Sequence, residues 1–204
     1  MHEEIQVLQA IRLKGRPTVP EIASSTAVAK TALRPLLNAF ADAGMCTTAN
    51  GRHMLTPTGR AHLTRLIEQE RAGLDREALA MAYERFCTHN TAVKRLVTDW
   101  QLVDGTTVND HSDADYDADI TRRLGRLHGE FRPLLAHLVD LAPRLTHYPG
   151  RFDSALEKIQ SGDHSWLAKP LADSYHTVWF ELHEDLLGLT GLERAQEAAA
   201  GRAG

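Results

Sequence analysis

Asn50-Gly51 stands at the centre of MCTTANGRHMLT, two short runs of strand-forming residues, and the segments on either side space their apolar residues at helical intervals. Asn-Gly tolerates the positive φ angles of a tight turn, so this stretch predicts a two-stranded hairpin inserted among helices. A mainly α fold with one small β-hairpin follows.

The segments around the hairpin carry their own start and stop signals. Ile5, Leu8, Ile11 and Leu13 define a first amphipathic helix that stops at Gly15. Thr18 stands three residues before Glu21 with Pro20 between them, the spacing of a capping box, and EIASS reads as a short second helix. Leu33, Leu36, Leu37 and Phe40 give a third helix one apolar face, with Gly44 as its C-terminal stop. Pro35 lies inside that helix, where it deletes an amide and crowds the preceding turn, and predicts a kink or a late start. After the hairpin, Thr56-Pro57 opens a fourth helix with Leu63, Leu66 and Ile67 on its inner side.

The order helix, helix, helix, hairpin, helix, with the phrases EIASSTAVAKTALRPLLNAFADAGM and LTPTGRAHL, resembles the winged helix-turn-helix domain of MarR-like bacterial transcriptional regulators. The resemblance covers residues 1–72 and implies double-stranded DNA as partner. In that family the third helix enters the major groove and the hairpin wing lies along the backbone or minor groove. Carried onto this sequence, Lys30, Thr31 and Arg34 would face DNA from the third helix, and Arg52 and His53 from the wing tip. Charge by segment agrees in sign: residues 1–72 hold nine Lys/Arg against six Asp/Glu, whereas residues 73–204 hold fourteen against twenty-one.

From Arg76 onward the pattern is helical without strand-like alternation, and residues 73–190 read as an all-α domain for effector binding and dimerisation. DGTTVNDHSD is an internal loop, and Asp113 is a cap for a long helix whose stripe runs from Tyr116 through Leu141, with a bend expected near Pro133. That stripe either buries within the chain or builds a homodimer interface. Asp113, Asp115, Asp117 and Asp119 lack the glycine and distal glutamate of a calcium loop, and read as acids at a helix N-terminus. His128 and His137 read as flank or surface residues. A short helix is expected after Pro149-Gly150, then a last long helix opened by Pro170 and closed by Gly188. Residues 191–204 read as a tail, with Thr190 and Glu193 suggesting a capped helix before a disordered end.

The last long helix contains DSYHTVWFELHEDLL. On a helical wheel Tyr175, His176, Trp179, Phe180, Leu182, His183, Leu186 and Leu187 share one arc, with Thr177, Glu181, Glu184 and Asp185 opposite. A buried imidazole needs a partner for its ring nitrogens. Three readings stand side by side: histidines satisfied by core neighbours; a small-molecule effector pocket of His176, Trp179 and His183 with Asn90, Trp100, Gln101 and His111; or metal or haem at His176/His183, which are seven residues apart where four is the usual spacing.

No stretch reaches the roughly 18 apolar residues of a membrane span, and MHEEIQVLQAIRLKG is unlike a secretory signal, so a cytoplasmic protein is expected. Cys46 and Cys87 show no CxxC spacing, and neither a glycine-rich phosphate loop nor GxSxG occurs. No catalytic residue is nominated. The whole reads as a ligand-responsive, homodimeric transcriptional regulator rather than an enzyme. A metal- or haem-binding sensor or enzyme, and a winged-helix adaptor for protein partners, are the alternatives.

Overall fold

The start and stop signals of the first third hold in the computed structural model, which describes residues 1–170 and 172–192. The elements are α1 (His2–Lys14), α2 (Val19–Ser24), α3 (Lys30–Asp42), β1 (Cys46–Ala49), β2 (Arg52–Leu55) and α4 (Pro57–Ala72). Thr18 and Glu21 close the capping box at α2, and the Thr56 side chain accepts the Gly59 amide at the start of α4. β1 and β2 pair antiparallel with Ala49 opposite Arg52, and Asn50 and Gly51 take φ of 51° and 71°. Pro17-Thr18 extends the ladder: Thr18 bridges Arg52, and the Pro17 carbonyl accepts the His53 amide at 2.9 Å.

Met1–Leu74 and Arg144–His147 form one compact unit. Its core joins Ile5, Leu8 and Ile11 of α1 to Leu33, Leu37 and Phe40 of α3 and Leu63 and Leu66 of α4. α3 runs unbroken through Pro35 instead of starting late. The cost of a proline inside a helix is about 3 kcal/mol. Burial of Leu33, Leu37 and Phe40 contributes about 1.5–3 kcal/mol each, and so outweighs it. α1 departs from a simple amphipathic helix, because every residue from Ile5 to Ile11 is buried. Gln6 is accommodated by accepting the Ala27 amide at 3.2 Å and donating to the Arg144 carbonyl at 2.6 Å. The Arg144 guanidinium bonds Glu70 through Nε, at 2.8 and 3.0 Å to the two carboxylate oxygens, both side chains almost fully buried.

The second unit takes in Asp75–Pro143 and the described residues from Tyr148 onward. Nothing in the sequence marks Arg144–His147 as belonging to the first unit. Its helices are α5 (Arg76–Gln101), α6 (Ala114–Leu141), α7 (Tyr148–Gln160) and α8 (Tyr175–Thr190). It is not purely helical: Asp104, Gly105 and Thr106 are the turn of a small hairpin, β3 (Leu102–Val103) with β4 (Thr107–Val108). α7 starts at Tyr148, so Pro149 and Gly150 lie in its first turn. α8 is opened by Ser174, whose side chain accepts the Thr177 amide, and closed by Gly191 in the left-handed conformation, not by Pro170 and Gly188. The expected tail helix and frayed end lie outside the described residues from position 193.

Asp113 caps α6, and that helix continues through Pro133. Ile120, Leu124, Phe131, Leu134 and Leu138 are all buried in the single chain. Tyr116, Leu127 and Leu141 of the same stripe are half-buried. Among the described residues no helix is long and apolar enough to cross a membrane.

Candidate functional site

α3 presents one apolar and one polar side. Leu33, Leu37 and Phe40 face the core, while Lys30, Thr31, Arg34 and Asn38 are exposed on the other side, within an arc of about 100°. None of these four side chains has a hydrogen bond or ion pair to another described residue. The helix N-terminus has Ala29 as its cap residue, with no side-chain cap. A rigid helix thus offers two cations, a hydroxyl and an amide, all unengaged.

The two hairpin residues of the predicted set are placed differently. The Arg52 guanidinium donates to the Arg16 carbonyl at 2.8 Å and lies 3.6 Å from the Glu21 carboxylate. That carboxylate also accepts the Thr18 amide at 2.6 Å and the Thr18 hydroxyl at 2.9 Å, bonds that hold its carboxyl below the usual range. Arg52 therefore braces the hairpin against the start of α2. His53 is buried, because alternation along β2 turns its ring inward onto Thr48 Oγ1 at 3.0 Å. Burial pushes its pKa down, so the ring is neutral near pH 7. His53 is not an exposed wing-tip residue.

The seven residues expected to form an effector pocket separate into a core group, a surface-edge group and two exposed side chains. In the core, Trp179 Nε1 donates to Asn90 Oδ1 at 2.9 Å, and His183 Nε2 lies 3.1 Å from the Tyr83 hydroxyl. Phe86 stacks on Trp179 with centroids 5.1 Å apart and touches the His183 ring at 5.3 Å, and Phe131 closes on Trp179 at 4.6 Å. These polar groups satisfy one another within an aromatic core. At the edge, His111 adopts φ of 60° and packs against Trp100 with ring centroids 4.2 Å apart and planes tilted by 36°. Its Nδ1 lies 3.0 Å from Asp117 Oδ2, and Asn109 Nδ2 donates to Asp117 Oδ1 and to the Trp100 carbonyl. Gln101 and His176 are exposed, which removes both from a shared pocket; His176 lies on the same side of α8 as His183 but two turns nearer its N-terminal end, where the chain leaves it open to solvent.

α8 also overturns the polar half of the helical wheel: Glu181 and Asp185 are buried with the apolar residues. Arg151 of α7 donates through Nη2 to Glu181 at 2.5 Å and to Asp173 at 3.1 Å, and the Tyr148 hydroxyl donates to Asp185 at 2.6 Å. Burial opposes the Arg151 charge, but Glu181 and Asp173 outweigh it and raise the pKa, so the guanidinium stays charged. Burial and the Asp185 carboxylate keep the Tyr148 phenol protonated. His128 is likewise buried, not a flank residue: its Nδ1 lies 3.3 Å from the Tyr175 hydroxyl and its Nε2 3.1 Å from Asp153. Burial lowers its pKa, and Asp153 only partly restores it. The sequence signal for these groups was weak, since charges on helices ordinarily mark solvent-facing positions; only the pairing of Arg151 with the i, i+4 acids Glu181 and Asp185 could have hinted at it.

Among the described residues no group of three or more His, Cys, Asp or Glu is arranged to hold a metal ion. Comparison with family models, curated proteins and solved structures finds no match for this chain. The class that the fold defines is a mainly helical protein with a small antiparallel hairpin in its first unit.

Proposed function

We propose that the chain is a DNA-binding transcriptional regulator of the winged helix-turn-helix kind, meeting the major groove with α3. The observation that carries this reading is the free face of α3: Lys30, Thr31 and Arg34 are exposed and unengaged, while the opposite side is locked by Leu33, Leu37 and Phe40. An exposed helix with basic residues toward its N-terminus fits a groove about 12 Å wide and pairs with the flanking phosphates. Arg52 acts in this reading as a brace that fixes the hairpin beside α2, with one edge of the guanidinium open to the DNA backbone. A homodimer would present two such helices to half-sites about 34 Å apart. An effector acting on the second unit would meet the exposed His111 ring beside Trp100, with Asn109 and Asp117 behind it, in preference to the satisfied Trp179 core.

Cations that pair with phosphate displace counterions, so binding must weaken with salt, and removing one contact must lower the slope of log K against log salt by about one. Fluorescence anisotropy with the full chain and mixed-sequence duplex DNA, across a salt series, tests this with Lys30→Ala and Arg34→Ala. Each variant is expected to bind more weakly with a shallower slope. Unaltered affinity and slope in both would remove α3 as the DNA-contacting element.

A further inference from the structure

Lys30, Thr31 and Arg34 suit phosphate, yet a regulator must also tell one base pair from another. Asn38 lies on the same face of α3, one turn beyond Arg34 and about 12 Å along the axis from Lys30. It is exposed, and its amide makes no hydrogen bond to another described residue. Around it the exposed surface is small: Pro35, Ala39 and Ala41 flank it. Asparagine is short, so it can reach a base edge only where the helix backbone comes close, and such neighbours permit that approach. Asp42, exposed at the C-terminal end of the same helix, disfavours that end lying against phosphates, so the N-terminal turns and Asn38 make the closer contact. The rigid anchoring of Leu37 and Phe40, the residues on either side of the Asn38 turn, holds the amide in a fixed position.

We infer that Asn38 is the specificity-determining residue of this face and that the base it reads is adenine. A side-chain amide matches the major-groove edge of adenine with both of its groups, Nδ2–H donating to N7 and Oδ1 accepting from the N6 amino group, whereas guanine offers two acceptors there and cytosine a lone donor. Pro35, an apolar ring one turn earlier on the exposed side, can meet a thymine methyl next to that adenine.

This inference rests on the DNA-binding reading above, and the experiment separates the two. Duplexes are selected from a random-sequence pool by the full chain and by Asn38→Ala at equal salt, and circular dichroism verifies that the variant is folded; alanine at an exposed helix position favours the helix. The parent is expected to select a motif containing an A·T pair that the variant no longer specifies, while binding to mixed-sequence DNA and its salt slope stay the same. Replacing that adenine by 7-deazaadenine, which lacks the N7 acceptor, is expected to weaken the parent by about 5- to 150-fold and to leave the variant unaffected. A variant that selects the parent's motif at every position would overturn the role of Asn38 and leave DNA binding standing. A parent that enriches no motif would overturn the role of Asn38, and one that also fails to bind mixed-sequence DNA would overturn both.

Discussion

Arg151→Met tests whether the second unit is organised around a buried ion pair. Methionine keeps most of the apolar stem and removes the guanidinium that serves Glu181 at 2.5 Å and Asp173 at 3.1 Å. Side-chain exposure is 7% for Arg151, 5% for Glu181 and 18% for Asp173, so Asp173 can turn partly to water and Glu181 cannot. Removing one partner of a buried pair costs about 3–5 kcal/mol, because a charge is left without compensation. Against the usual stability of about 5–15 kcal/mol this is a severe loss. All three tryptophans, Trp100, Trp166 and Trp179, lie in the second unit, so their fluorescence during urea unfolding reports on the unit that carries the change. The midpoint is expected to fall sharply with little change in slope. A loss below about 1 kcal/mol at pH 7, the size typical of an exposed pair, would refute the reasoning.

Two further substitutions probe close contacts. His128 has a folded pKa below its ordinary value, so between that value and about 6.5 the unfolded chain binds a proton that the folded chain does not, and stability falls as pH drops through this window. His128→Leu should flatten that part of the profile, measured as urea midpoints at pH 5.5 and 7.5; an equally steep fall in the variant would assign the dependence to other histidines. Gly59 lies in the first turn of α4, where an added Cβ would run into the Met45 carbonyl, backbone held in place by its bond from the Thr56 amide. Gly59→Ala should thus destabilise the first unit by about 1–3 kcal/mol in calorimetry, although alanine in a helix is ordinarily stabilising by roughly 0.5–1 kcal/mol.

The element order of the first unit was legible because its signals are local. Thr18 with Glu21, Thr56 with Pro57 and Asn50 with Gly51 each act within a few residues, so sequence alone places them, as it does Asp113 before α6 in the second unit. The exposed side of α3 was legible for the same reason, since three anchored apolar residues determine which way Lys30, Thr31 and Arg34 point. Burial of polar groups depends on partners far along the chain, and there the wheel fails. Glu181 and Asp185 look solvent-facing until α7 brings Arg151 and Tyr148 to them across 30 and 37 residues. His183 and Trp179 look like ligand-binding residues until α5 supplies Tyr83 and Asn90. His53 shares the inward face of β2 with Leu55 by the alternation of a strand, a signal that a wing-tip reading of a four-residue strand passes over. Helix starts, turns and faces are written in neighbouring residues; which polar side chains become core, and which stay free to act, is set by contacts that exist only once the helices have packed.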